Sequence, residues 1–142
     1  MAVQVETIAQ TSVHLGDAVD MLILIDNPVL AALVLHKRYT EIEGYFYGTI
    51  VQWAHYFEQN NEVLAAIICY RNLLTDLLDR GYSKAYHHGA AYFHKLILLD
   101  KWVDDYKGLE NATAFIKSIQ SKHWRKRSFW EQANYPNKPL AT

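Results

Sequence analysis

Apolar side chains recur at spacings of three and four residues along most of this chain, and that spacing predicts helices almost throughout. Asn27-Pro28 reads as a helix start, with Asn as the cap and Pro at the first helical position. The apolar run 29–35 that follows is expected to be buried. A helix over about 42–59 sets Phe46, Ile50, Trp53 and Phe57 on a core face and Tyr45, Thr49, Gln52 and Tyr56 on another. Asn60-Asn61 breaks it. The next helix, about 62–80, carries Ala66, Tyr70, Leu73 and Leu77 at helical spacing and stops at Gly81, a left-handed cap. Ser83 is expected to cap a long helix with the seam Ala85, Gly89, Tyr92, Leu96, Leu99, Val103, Tyr106, ended by Gly108. A further helix over about 110–122 shows Ala112, Phe115, Ile116 and Ile119. Pro136 and Pro139 mark a loose tail from about residue 134.

Around Asn60-Asn61 the order is Ile50, Trp53, Ala54 and Phe57 before the turn, then Ala66 and Tyr70 after it. These spacings resemble one tetratricopeptide unit, in which small residues let two helices approach closely. A shift by one repeat length finds no second full match. The expected fold is therefore all-α, about six helices in antiparallel hairpins, a tetratricopeptide-like stack but not a tandem array. The expected organisation is a single helical domain over 1–142, since no shift in composition marks a second.

Composition agrees with a globular helical chain. Apolar residues make up 51% and charged residues 20%, with six Gly and three Pro. The single cysteine, Cys69, forms no internal disulfide. The Leu-, Ile- and Val-rich stretch 13–35 contains Asp17, Asp20, Asp26 and Pro28, which are costly in hydrocarbon, so no membrane span is expected. The first Lys or Arg is Lys37, so no basic leader precedes that stretch, and a cytoplasmic location is expected.

The net charge is −1, but it is unevenly spread. Residues 1–36 hold Glu6, Asp17, Asp20 and Asp26 without a Lys or Arg. Residues 117–138 hold Lys117, Lys122, Arg125, Lys126, Arg127 and Lys138 against Glu131 alone. The two ends simply solvate a small domain, or else the basic end meets an anion.

Candidate chemistry is sparse. Seven histidines invite a zinc site, but His88 is followed at i+4 by Tyr92, His87 by Ala91 and His94 by Leu98. His87 and His94 share a face about 10.5 Å apart along the axis, too far for one ion. No metal or cofactor is expected. Cys69 lies among apolar neighbours and reads as a core residue. There is no glycine-rich phosphate loop and no Gly-x-Ser-x-Gly elbow. One enzyme pattern survives: Arg80, six residues, then His87 is similar to the HEPN-type ribonuclease spacing, although Gly81 interrupts it. The run Lys122 to Trp130, KHWRKRSFW, interleaves cations and rings as nucleic-acid contact requires. Alternatively Trp124, Phe129 and Trp130 cover the end of a bundle while Arg125, Lys126 and Arg127 point outward.

The run YRNLLTDLLDRGYSKAYHHGAAYFHKL, a helical spacer and KHWRKRSFW resemble a bacterial helical domain of unknown function, found alone or C-terminal to SWIM-type zinc fingers. The resemblance rests on Tyr70, Arg71, Leu73 and Leu74; on Ser83, Lys84, Ala85, Tyr86 and His88; on Ala90 and Ala91; and on His123, Arg125, Lys126, Phe129 and Trp130. Gly89 stands where Ala is expected, and the zinc-finger cysteines are absent. What the resemblance implies is a fold and a polar set. Lys84, Tyr86, His88, Arg125 and Lys126 form either a cluster tying the long helix to the C-terminal segment or a binding groove, and with His87, His123 and Arg127 they are the candidate binding residues. The expected function is a non-catalytic protein-interaction module that docks a partner or itself, with Tyr45, Tyr47 and Tyr56 as exposed aromatics. Nucleic-acid binding by the basic segment is the alternative, and ribonuclease activity a third reading.

Overall fold

The structure, a computed structural model, describes residues 14–42 and 47–139. Among them are seven α-helices, two 3-10 turns and no strand, with adjacent helices packed in pairs. The chain is therefore all-α. It divides into two compact units, one running to Cys69 and the other beginning at Tyr70. No described helix is long and apolar enough to cross a membrane.

The first unit holds α1 (Leu15–Leu24), α2 (Pro28–Lys37), a 3-10 turn (Tyr39–Ile42), α3 (Tyr47–Gln59) and the start of α4 (Val63–Arg80). Helix α1 buries Leu15, Ala18, Val19 and Leu22, one stripe at helical spacing. It ends without glycine. Asp26 takes the left-handed conformation (φ 54°), while the Asp26 and Asn27 N–H groups donate to the carbonyls of Ile23 and Leu22. Asn27 then caps α2, its side-chain oxygen accepting from the Leu30 N–H at 3.2 Å, with Pro28 in the first turn as the pattern predicts. Four of the seven residues in the apolar run 29–35 are buried. Ala31, Ala32, Val34 and Leu35 face the core, whereas Val29 and Leu33 are exposed. A helix that is apolar all round still has one buried stripe, and residues four apart share the opposite one.

Helix α3 is described from Tyr47 onward; the expected positions Tyr45 and Phe46 lie outside the described residues. Ile50, Trp53, Ala54 and Phe57 are buried as expected. The Trp53 indole N–H donates to Asp20 at 2.7 Å and the Tyr56 hydroxyl to Asp26 at 2.9 Å, which joins α3 to α1 and the turn after it. The expected break falls at Asn61, again left-handed (φ 59°), with Glu62 and Asn61 donating back to Phe57 and Glu58.

The second unit holds the rest of α4, a 3-10 turn (Ser83–Ala85), α5 (Tyr86–Asp100), α6 (Ala112–His123) and α7 (Arg127–Ala133). Gly81 ends α4 at φ 65°, as predicted. Ser83 does not cap α5. It opens the 3-10 turn, and the helix starts after Ala85 with no side-chain cap. Helix α5 also stops six residues short of Tyr106. Its last turn tightens into 3-10 bonds from Trp102 to Leu99 and Val103 to Asp100. Asp100, Asp104 and Asp105 crowd that end, where the helix dipole disfavours negative charge. The Tyr106 hydroxyl folds back to donate to Asp100 instead of extending the seam.

The core of this unit is aromatic. Phe93 of α5 meets Phe129 and Trp130 of α7 edge-on at 6.2 and 5.7 Å, and Tyr135 at 5.0 Å. Tyr86 meets Phe129 edge-on at 5.9 Å. Helices α5 and α7 approach closely because position 89 has no side chain. A Cβ there would lie 3.1 Å from the Phe129 ring and 3.2 Å from the Leu77 side chain. The segment after α7, expected to be loose, is held at several points. Asn134 closes the helix at φ 52°, Gln120 donates to the Pro136 carbonyl at 3.0 Å, and Asn137 donates to the Trp124 carbonyl at 2.9 Å.

Candidate functional site

The residues singled out in the sequence fall in two places within the second unit. Lys84, His87 and His88 are exposed at the 3-10 turn and the first turn of α5, and the two imidazole rings lie 4.0 Å apart. Tyr86, between them, turns inward onto Phe129. Aromatic packing of Tyr86 on Phe129 links the start of α5 to α7. His123, Arg125, Lys126 and Arg127 gather where α6 turns into α7. Arg80 lies against Asp76 at 3.1 Å, one turn back on α4, and His87 lies on His88.

His123 ends α6 with its side chain 4% exposed. Its Nε2 is 3.2 Å from Asp79 Oδ1, and Lys122 Nζ reaches the same oxygen at 2.8 Å. Neither ring nitrogen makes a well-aligned hydrogen bond. Burial pushes the His123 pKa below the ordinary imidazole value; Lys126 and Lys122 act the same way, and Asp79 opposes them. The backbone carbonyl of His123 accepts from the Trp130 indole N–H at 2.9 Å and from the Lys126 N–H at 3.0 Å, which sets the α6–α7 corner.

Of the three aromatics in the basic run, Phe129 and Trp130 are buried and only Trp124 reaches the surface. Arg125 and Lys138 lie over its ring, 5.0 and 5.1 Å from the centroid. Beside this corner is an open cleft of about 630 Å³, lined by Arg127, Trp130 and Glu131 of α7 and by residues 134–137. Among the described residues, Arg125, Lys126, Arg127 and Lys138 have no carboxylate at ion-pair distance.

A second polar centre is not among the residues chosen from the sequence. The Arg71 guanidinium lies over the rings of Phe115 (4.6 Å) and Tyr106 (5.3 Å). Burial lowers the Arg71 pKa, opposed mainly by Tyr106, and a guanidinium stays charged regardless. Burial pushes the Tyr106 hydroxyl up to about 12, helped by its hydrogen bond to Asp100. The sequence does carry a signal: Arg71 has Ile67, Ile68, Leu74 and Thr75 at helical neighbour positions, so no local carboxylate pairs with it. Cys69 is buried, which pushes its thiol pKa up and leaves it protonated. His94 donates through Nε2 to the Ala133 carbonyl at 2.6 Å. No three His, Cys, Asp or Glu side chains among the described residues are grouped to hold a metal ion.

Residues 3–132 match the model of a family of unknown function, DUF6880. The chain belongs to that family. The DUF6880 match takes in every candidate residue from Lys84 to Arg127, while residues 134–138 lie past its end. It carries no link to SWIM-type zinc fingers. No curated protein matches the chain, and no solved structure does.

His123 makes stability depend on pH. Its folded pKa is depressed, so the unfolded chain binds the proton more readily. The stabilisation is complete above the unfolded value of about 6.5 and is lost as pH falls through the folded value. Thermal melts should show Tm falling below about pH 6.5, with a shallower fall in His123→Gln. Equal slopes in the two proteins would remove His123 from this role.

Proposed function

We propose that this DUF6880 chain is a non-catalytic protein-interaction module, a reading that includes a cytoplasmic location. The observation that carries it is a run of exposed aliphatic side chains where α1 turns into α2: Leu24 (85% exposed), Ile25 (52%), Val29 (68%) and Leu33 (43%). Single exposed apolar residues are ordinary, whereas four within residues 24–33 of one packed helix pair make a patch of the kind that partners cover. Tyr47, also half exposed, adds an aromatic elsewhere in the same unit.

The basic corner supports nucleic-acid binding as a second reading, through cations with no carboxylate partner among the described residues. It supports base stacking less well, since Phe129 and Trp130 are buried and Trp124 already carries two cations. The ribonuclease reading keeps only the spacing of Arg80 and His87. The test is capture from cell extract by immobilised parent chain and by the triple variant Leu24→Ser, Val29→Ser, Leu33→Ser. The three positions are exposed, so the variant should melt within about 1 kcal/mol of the parent. Protein bands lost with the variant are expected. A parent that retains only RNA or DNA, with the variant behaving identically, sinks the reading.

A further inference from the structure

The two ends of this chain present complementary surfaces. At the α1–α2 turn, Leu24 and Ile25 project into solvent and are followed by the exposed Asp26, with Asp17 and Asp20 exposed further back on α1. The first 36 residues contain no Lys or Arg. In the second unit, the cleft beside α7 has a mixed lining, with Tyr135 and Pro136 beside the polar Asn134 and Asn137, while Trp130 is almost fully buried. Arg127 lines it, and Arg125 and Lys138, which lie over the Trp124 ring, are within two residues in sequence of its lining. Glu131 is the one acid in the lining.

From these surfaces we infer that the α1–α2 turn of a second copy of this chain docks into the cleft beside α7. Leu24 and Ile25 would supply the apolar contact, and Asp26 and its acidic neighbours would face Arg127, Arg125 and Lys138. The inference rests on the interaction-module reading and names its partner as the chain itself. The case for a second copy is charge complementarity. The cations at the cleft lack carboxylate partners among the described residues, and the same chain carries an acidic apolar turn free of positive charge. A contact between two different patches is heterologous, so each copy offers one donor and one acceptor surface.

Sedimentation equilibrium of the full chain tests this. At about 0.05 M salt the mean mass should rise from one chain toward two or more as concentration increases, and return to one chain at about 0.5 M, where exposed charges are screened. Leu24→Arg with Val29→Arg removes the turn surface; Arg125→Glu with Arg127→Glu removes the cleft surface. Each variant alone should be monomeric. An equimolar mixture should recover a species of twice the chain mass, because each retains the surface that the other lacks. Lys138→Glu, outside every helix, tests the same rim if the double arginine variant fails to fold. A parent that stays monomeric at both salts overturns the inference, as does a mixture that stays monomeric. A monomeric chain that instead retains single-stranded RNA, lost on Arg125→Glu with Arg127→Glu, assigns the cleft to nucleic acid. In the first two cases the extract capture above still decides whether another protein binds the turn.

Discussion

Phe129→Ala should cost about 3–5 kcal/mol of stability, the range for removing a large aromatic from a packed core. Phe129 is fully buried and makes edge-on contacts with Tyr86 and Phe93, while its neighbour Trp130 packs at 5.0 Å. These rings join α5 to α7. Part of the cost is lost burial and part is the cavity that the surrounding rings keep open. Urea unfolding followed by circular dichroism measures the effect. A loss under about 1 kcal/mol would mean that Phe129 does not hold these helices together. Trp124→Ala gives the contrast within the same nine-residue run. Its ring is partly exposed, so its removal should cost much less.

Gly89→Leu should cost about 3 kcal/mol, because the added side chain points at the least yielding part of the unit. The Cβ alone would stand 3.1 Å from the Phe129 ring and 3.2 Å from Leu77, inside the optimal carbon separation of about 3.5–4.0 Å. Gly89→Ala is the finer measurement. Alanine favours a helix interior over glycine by about 1 kcal/mol, and overpacking opposes this by about 1–3 kcal/mol. The net expectation is a small loss. In a Phe129→Ala background the sign should reverse. The methyl group then meets only the Leu77 side chain, which can shift, so the helix preference prevails and gives a gain of up to about 1 kcal/mol. A double-mutant cycle isolates this coupling. Additive effects would show that Gly89 is not held small by Phe129.

The helices were legible because periodicity and stop signals act locally. The Asn27-Pro28 start, the Asn60-Asn61 break and the Gly81 stop all lie where the residues placed them. The core faces of α3 and α4 also follow from spacing. Where the reading failed, a distant partner or an electrostatic cost had overruled the local pattern. The seam through Val103 and Tyr106 is helical in spacing, but three aspartates burden that helix end and Tyr106 bonds to Asp100. Ser83 is a good cap residue placed in a 3-10 turn.

The candidate site was legible in composition but not in orientation. The basic run named the corner that holds His123, Arg125, Lys126 and Arg127. It left open whether the rings cover the bundle or face solvent, and did not reveal that Phe129 and Trp130 turn inward while Trp124 carries Arg125 and Lys138. Those choices depend on residues brought in from α5 and from the segment after α7. Arg71 stands out in the sequence only for the resemblance it carries; its place as a polar centre was not legible, because its partners, Phe115 and Tyr106, are more than thirty residues away in sequence.

By itself the sequence determined the all-α class, the start of α2, the limits of α4 and the unequal charge of the two ends. Each of these is set by neighbours within a turn or two, or by a simple count. Only the tertiary structure decided which apolar residues are left exposed, as at Leu24, Ile25, Val29 and Leu33, and which histidine is buried against a carboxylate. Burial is a property of what packs against a face. Hydrophobic spacing shows that a helix has a face, and the identity of whatever covers it depends on chain that lies far away.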